Sequence, residues 1–246
     1  MKALPLAGRV ALVTGAGLRV GRSIARALSD AGADLAIHFR ESAGPATELA
    51  TELRKEGRKA TTVRGDLASP ADCRTVIRDC TSTLGGLDVL VHSAANFHRA
   101  SLEETDERLW DDAMNVNARA AFLLAREAAP TLRERRGRIV LMTDRMARHP
   151  PPSYLAHAVS KAAIEGLVRA LAVELAPEVL VNGIAPGAVL VPEGTPPEQA
   201  ERWARATPLG RLGDPQDVAA TVVFLCAGQS YVTGQIIDVD GGQGLG

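Results

Sequence analysis

The segment Thr14-Gly15-Ala16-Gly17-Leu18-Arg19-Val20-Gly21 sets three glycines and an arginine directly after the apolar run Val10-Ala11-Leu12-Val13. That run reads as a buried strand. Ile24, Ala25, Ala27 and Leu28 then recur at helical spacing, so the glycines lie where a strand turns into a helix. Glycine there lets the backbone approach a pyrophosphate, and the first N–H groups of the helix stay free for an anion. Residues 14–21 therefore predict a dinucleotide loop, with Gly15, Gly17, Val20 and Gly21 against the phosphates. The spacing is not the strict G-x-G-x-x-G, and an ordinary strand-to-helix turn is the plainer alternative.

A second group follows the second strand, at His38-Phe39-Arg40-Glu41-Ser42. A dinucleotide site without a 2'-phosphate usually carries a carboxylate here for the ribose hydroxyls. Arg40 and Arg19, with Ser42 and His38 nearby, suit a 2'-phosphate instead, because guanidinium binds phosphate in a bidentate way. The reading is NADP(H). Its alternative makes Arg40 a surface arginine and gives the ribose to Glu41. Asp66-Leu67, just past the third strand, are expected near the adenine. The alternative for Asp66 is a cap for the following helix.

The elements that must position these residues alternate along the chain. Strands are read at Val10–Val13, Asp34–Phe39, Thr61–Val63, Val89–Val91, Ile139–Met142, Val179–Ile184 and Ile236–Val239. Helices are read at about Gly21–Ala31, Glu48–Glu56, Pro70–Thr83, Asp106–Arg135, Ser153–Leu175 and Asp217–Cys226. Near-continuous apolar strands between helices predict an α/β, Rossmann-type doubly wound seven-stranded parallel sheet with helices on both faces. Ligands of such sheets bind beyond the carboxyl ends of the strands. No composition break marks a second domain, so residues 1–246 are read as one. Pro150-Pro151-Pro152 form a stiff entry to the next helix, with Ser153 as its N-cap. Pro186 to Pro197 reads as a lid, with Gly137 expected to stop the helix that ends in the run Arg133 to Arg136.

Bulk properties narrow the classes. The 246 residues are 46% hydrophobic and 3% aromatic, with a net charge of -1. That balance favours neither nucleic acid nor an anionic membrane surface. No stretch approaches the length of a membrane helix, and the first residues do not form a signal peptide. Cys73, Cys80 and Cys226 are an odd count without a CxxC pair. They read as reduced structural thiols, and the chain as cytoplasmic. No ligand spacing supports a metal site, so His98 and His149 read as loop histidines.

Over nearly its whole length the chain resembles the short-chain dehydrogenase/reductase family. The resemblance rests on Thr14-Gly15-x3-Arg19-x-Gly21, Asp66-Leu67, Asn117, Lys161, Pro186-Gly187, and the stretch from Thr233-Gly234-Gln235 to Asp240-Gly241-Gly242. Arg19 in place of the middle glycine, Asp144 in Met142-Thr143-Asp144-Arg145-Met146, and Phe97 resemble the pteridine reductase and dihydromonapterin reductase branch. The resemblance implies that Lys161 holds the nicotinamide ribose and biases a neighbouring acid, and that Asn117 supports it through a water. It implies cofactor contacts at Ser93, Ala94, Pro186 and Gly187, with His92 lining the nicotinamide pocket. Arg19, Phe97, Asp144 and Tyr154 would meet the substrate, Phe97 by stacking. A homotetramer is implied too, with residues 106–135 and 153–175 in the interfaces and Trp110 buried there.

One position departs from the family pattern. The catalytic tyrosine should stand four residues before Lys161, and His157 stands there. Tyr154 lies seven residues before the lysine, and on a helix 154, 157 and 161 share a face. Three readings stay open: His157 donates the proton, Tyr154 does so with help from Asp144, or the chain only binds the dinucleotide. The expected activity is NADPH-dependent reduction of a small planar heterocycle such as a pterin. A carbonyl reductase and a catalytically impaired NADP(H)-binding protein or sensor are its alternatives.

Overall fold

The computed structural model describes residues 4–191, 194–228 and 231–245. Seven strands are formed: β1 (Val10–Thr14), β2 (Asp34–Phe39), β3 (Ala60–Arg64), β4 (Val89–His92), β5 (Arg138–Met142), β6 (Leu180–Pro186) and β7 (Ile236–Val239). All pair in parallel in the order β3-β2-β1-β4-β5-β6-β7. The order reverses between β1 and β4, which opens a crevice at the carboxyl ends of those two strands. This is the Rossmann-like sheet expected from the sequence.

Alternate residues of each strand feed opposite layers, as the two-residue period of a strand requires. Ala11, Val13, Leu35, Ile37, Val89 and Val91 pack with helices α1 (Arg19–Asp30), α2 (Ala43–Lys55) and α8 (Pro215–Ala227). Val10, Leu12, Leu90, Ile139 and Leu141 pack with α3 (Pro70–Leu84), α5 (Ala120–Glu134) and α6 (Leu155–Glu174). Two further helices, α4 (Glu107–Ala113) and α7 (Pro197–Arg205), lie outside these two layers.

Several boundaries differ from the sequence reading. The expected helix 106–135 is interrupted by a π-helical turn at Met114–Arg119, between α4 and α5. That turn carries Asn117, and π turns commonly sit at functional sites. Trp110, expected at a subunit interface, is 36% exposed on α4 in the single chain. Ser153 does not cap α6: it adopts φ +68, and its carbonyl accepts from Ala100 N–H at 2.8 Å. The Ala100–Tyr154 bridge draws this segment away from the helix, which starts at Leu155 with Tyr154 as N-cap. At the end of α5 the left-handed residue is Arg136, φ +51, rather than Gly137. Gly137 is needed for space, because a Cβ there would lie 2.5 Å from Leu132 Cδ2. Residues 192 and 193 of the expected lid lie outside the described residues.

Candidate active site

The glycine loop joins β1 to α1 at the reversal point. Its glycines answer to close packing. A Cβ on Gly21 would sit 2.3 Å from Gly15 O, one on Gly17 would sit 2.5 Å from Ser42 Oγ, and one on Gly15 would sit 3.0 Å from Ala94 Cα. Glycines thus allow α1, Ser42 and the end of β4 to close around one loop. Like α2 and α6, and unlike α3, α4 and α8 with their caps Ser69, Asp106 and Asp214, α1 starts after Leu18 with no side-chain cap and no acid in its first turn. An uncapped N-terminus presents unbonded N–H groups and the positive end of the helix dipole. Arg19 and Val20 stand at its first two positions, Arg19 exposed and at φ +53. An L-residue pays a steric penalty there, which glycine would avoid. The arrangement fits a phosphate-bearing dinucleotide.

The neighbouring strands supply the walls. Arg40 is exposed and pairs with Glu41 at 3.1 Å, so both candidates for the ribose end stand together beside Ser42. Asp66 Oδ1 accepts from Ala68 N–H at 3.0 Å within the turn before α3, whose cap is Ser69 rather than Asp66. The Leu67 side chain is buried in the core, which leaves only its backbone for a ligand. Gly187 lies past β6, where Pro186 ends the strand, and a Cβ on Gly187 would be 2.9 Å from Asp240 Cα.

His38 and His92 correct the sequence reading. His38, expected near a 2'-phosphate, is 2% exposed, and both its ring nitrogens face protein backbone. Gly15 N–H donates to Nδ1 at 3.1 Å, so Nε2 carries the hydrogen and donates to Gly65 O at 3.1 Å. Burial pushes its pKa down to about 4. His92, expected to line the nicotinamide pocket, is 1% exposed. Thr14 Oγ1 accepts from Ser93 N–H and Ala94 N–H, each at 3.0 Å, and so turns its own hydrogen to His92 Nδ1 at 3.0 Å. His92 Nε2–H then donates to Asn117 O at 3.1 Å. Burial, with the Lys161 ammonium adding to it, pushes the His92 pKa down to about 3. Ser93 and Ala94 reach the loop through these backbone bonds.

Asn117 is fully buried in the π turn. Its Oδ1 accepts from Asn96 N–H at 2.8 Å, and its Nδ2 donates to Asn96 O at 3.1 Å and to Ser160 Oγ at 2.9 Å. Its polar groups are thus turned toward Asn96, Ser160 and His92, whereas Lys161 Nζ donates to Met142 O at 2.8 Å. Burial lowers the Lys161 pKa to about 8, against the opposing pull of Asp144.

The third cluster brings together Asp144, His157, Tyr154 and Phe97. Asp144 follows β5 and accepts from Met146 N–H at 2.7 Å. His157 is 3% exposed, with Nδ1 3.1 Å from Asn96 O and Nε2 3.3 Å from Asp144 Oδ2. A carbonyl can only accept, so Nδ1 carries a hydrogen. Nε2 then faces the carboxylate oxygen Oδ2, a contact that a second ring hydrogen would bridge. Asp144 is the partly exposed member of the pair. Phe97, 52% exposed, meets the His157 ring edge-on at 4.6 Å between centroids and the Tyr154 ring at 5.1 Å. Tyr154 is therefore at the cluster, held by a bridge and a ring contact rather than by the helix.

The sequence reading missed Asn96, whose carbonyl orients His157, and no pattern of residue types marks it. Among the described residues no cluster of metal-ligating side chains occurs. Cys73, Cys80 and Cys226 are all buried, with burial pushing their thiols up to about 11, 12 and 12.

A protein-family model described as Enoyl-(Acyl carrier protein) reductase matches residues 15–243. The chain belongs to the short-chain dehydrogenase/reductase family. It is 36% identical over 255 residues to a hydroxynaphthalene reductase-like protein Arp2 of Metarhizium anisopliae, covering 96% of this chain and 95% of that protein. An NADPH-dependent aldehyde reductase-like chloroplastic protein of Arabidopsis thaliana is 35% identical over 257 residues, covering 97% and 95%. The crystal structure of a short chain dehydrogenase from Burkholderia cenocepacia in complex with NADP superposes with a TM-score of 0.92 at 32% identity, covering 97% of this chain and 99% of that one. Among the described residues no helix is long and apolar enough to cross a membrane.

Proposed function

We propose that this member of the family is an NADP(H)-dependent reductase acting on a C=O or C=N bond in a small planar ring, with the His157–Asp144 pair as the acid. The observation that carries the reading is the pair itself: both His157 nitrogens face oxygen acceptors, an arrangement suited to a proton shared between Nε2 and Oδ2 beside the exposed ring of Phe97. The uncapped start of α1, with Arg19 on it, supports a dinucleotide with an added phosphate, and Arg40 with Ser42 flanks that end. The family relatives named for NADPH or found with NADP support the same choice.

Bound there, the reduced cofactor supplies a hydride. The chain supplies the rest. Phe97 offers its exposed face to a planar ring, and Tyr154 backs it. The shared proton passes from between Nε2 and Oδ2 to the oxygen or nitrogen left negative when the adjacent carbon is reduced. The pair is left one proton short and recovers it from solvent at Asp144. The buried Lys161 ammonium, fixed on Met142 O, keeps positive potential next to the developing anion.

Within this reading a pterin and an aromatic ketone both fit the platform. Phe97 with Asp144 and Arg19 favours the pterin, and the hydroxynaphthalene reductase-like relative favours the ketone. The test follows NADPH oxidation with a dihydropterin and with a bicyclic aromatic ketone. Turnover that is lost in His157→Ala supports the assignment. Full turnover in that variant removes His157 from the chemistry. Tight NADPH binding with no turnover of either substrate makes the chain a dinucleotide-binding protein. Exposed Trp110, Phe122 and Val173 on α4, α5 and α6 support assembly through those helices, which light scattering would measure.

A further inference from the structure

We propose that the dinucleotide loop is set by a bracket of two buried histidines, His38 and His92, acting as positioning residues with separate consequences for cofactor binding and for proton delivery. The inference rests on the cofactor reading above. β2 and β4 are the two strands that pair with β1. Each ends its contact with the loop on a buried histidine. The two bonding patterns match. In each ring Nδ1 accepts from the loop, from Gly15 N–H for His38 and from Thr14 O–H for His92. In each ring Nε2–H donates to a backbone carbonyl outside the loop, Gly65 O for His38 and Asn117 O for His92.

Protonating either ring would turn the accepting nitrogen into a donor aimed at a donor. The surroundings oppose that. Both rings are buried. The Lys161 ammonium also opposes a charge on His92, and Asp66, the one carboxylate acting on His38, does not overcome its burial. The bracket therefore keeps its geometry across the whole neutral range.

The outer ends of the two rings differ. His38 ends on Gly65, past β3, at the adenine end of the crevice. His92 ends on Asn117, whose side chain holds both backbone groups of Asn96, and the Asn96 carbonyl accepts from His157 Nδ1. A continuous polar chain thus runs from Thr14 through His92, Asn117 and Asn96 to the candidate acid. His38 should govern cofactor affinity alone. His92 should govern affinity and turnover together.

Two measurements on the full chain decide it. Nitrogen-15 NMR of the imidazoles is expected to show His38 and His92 as neutral Nε2–H tautomers at pH 7, unchanged at pH 5.5, where a free histidine is mostly protonated. An Nδ1–H tautomer, or titration of either ring near pH 6.5, overturns the proposal. This arm needs neither cofactor nor turnover, so it stands apart from the functional reading, which fails by itself if NADP+ does not bind. In the second arm, His38→Leu is expected to weaken NADP+ at least tenfold with kcat at saturation kept within about threefold, and His38→Asn, which restores an acceptor, to recover most of that loss. His92→Leu is expected to lose affinity and kcat, and His92→Asn to recover affinity without kcat, because asparagine reaches Thr14 but not Asn117. Equal loss of both parameters in all four variants would mean simple structural damage and would also overturn it.

Discussion

The histidines around the glycine loop and the histidine at the acid cluster are buried alike, at 2%, 1% and 3% exposure for His38, His92 and His157. Their partners separate them. His38 and His92 each meet one donor and one acceptor, so one hydrogen satisfies the ring. His157 meets two oxygen atoms that accept, the Asn96 carbonyl and an Asp144 carboxylate oxygen. Burial alone says nothing about whether a histidine is structural wiring or an acid; the count of donors and acceptors around it does.

The largest effect that tests this contrast is expected from His157→Phe, which keeps a ring against Phe97 and removes both donors. Its kcat should fall about 10²–10⁴-fold, the usual range for a lost general acid. Asp144→Asn should lose a comparable amount, and the double variant little more, because the two share one proton. A His157→Phe enzyme within threefold of wild type would abolish the distinction between the two regions.

Lys161 is expected to give a pH signature. Its pKa is pushed down to about 8 by burial, so kcat should decline as pH rises through about 8. Stability should move the other way. A free lysine titrates near 10.5, so between about 8 and 10.5 the unfolded chain holds more protons than the folded one, and the fold gains stability as pH rises. Activity that stays level to pH 9.5 would argue against a working ammonium.

The loop histidines are expected to show themselves in acid. With His38 held at about 4 and a free histidine near 6.5, the unfolded chain takes up the proton first as pH falls. Stability contributed by the neutral ring is complete above about 6.5 and lost progressively toward about 4, on the order of 3 kcal/mol for His38. Urea unfolding at pH 7 and pH 5 should show the loss in wild type and a smaller one in His38→Asn.

Two smaller effects sharpen the picture. Phe97→Ala should raise KM for a planar substrate about 3–10-fold, the worth of one aromatic contact. Arg19→Gly should stabilise the fold by about 1 kcal/mol, since glycine accepts φ +53 freely, while narrowing the preference for NADPH over NADH. A destabilised Arg19→Gly would mean that the arginine holds the loop itself.

The acid cluster was only partly legible in the sequence. The spacing 154–157–161 put Tyr154 and His157 on one helix face, yet Ser153 and Tyr154 are held outside α6 by the contact with Ala100. Nothing in Met114–Arg119 distinguishes a π turn from the α-helix around it, since both suit the same residues and the difference lies in how Asn117 is pulled toward Asn96 and Ser160. Arg19 and the glycines were legible because they stand where a strand turns into a helix. Only Gly21 answers to crowding within the loop, whereas Gly15 and Gly17 are crowded by Ala94 and Ser42 from other strand ends.

By itself the sequence determined the alternation of strand and helix, the doubly wound parallel sheet, and the phosphate-type loop with an arginine in it. These follow from short-range periodicity, from turn chemistry and from the N–H groups that any uncapped helix start must expose. The tertiary structure alone decided which buried histidines meet one donor and one acceptor and which one meets two acceptors. That choice depends on carbonyls and a carboxylate brought from Gly65, Asn117, Asn96 and Asp144, 13 to 61 residues away along the chain. Residue types carry no record of which acceptors will face a ring once distant strands are laid side by side.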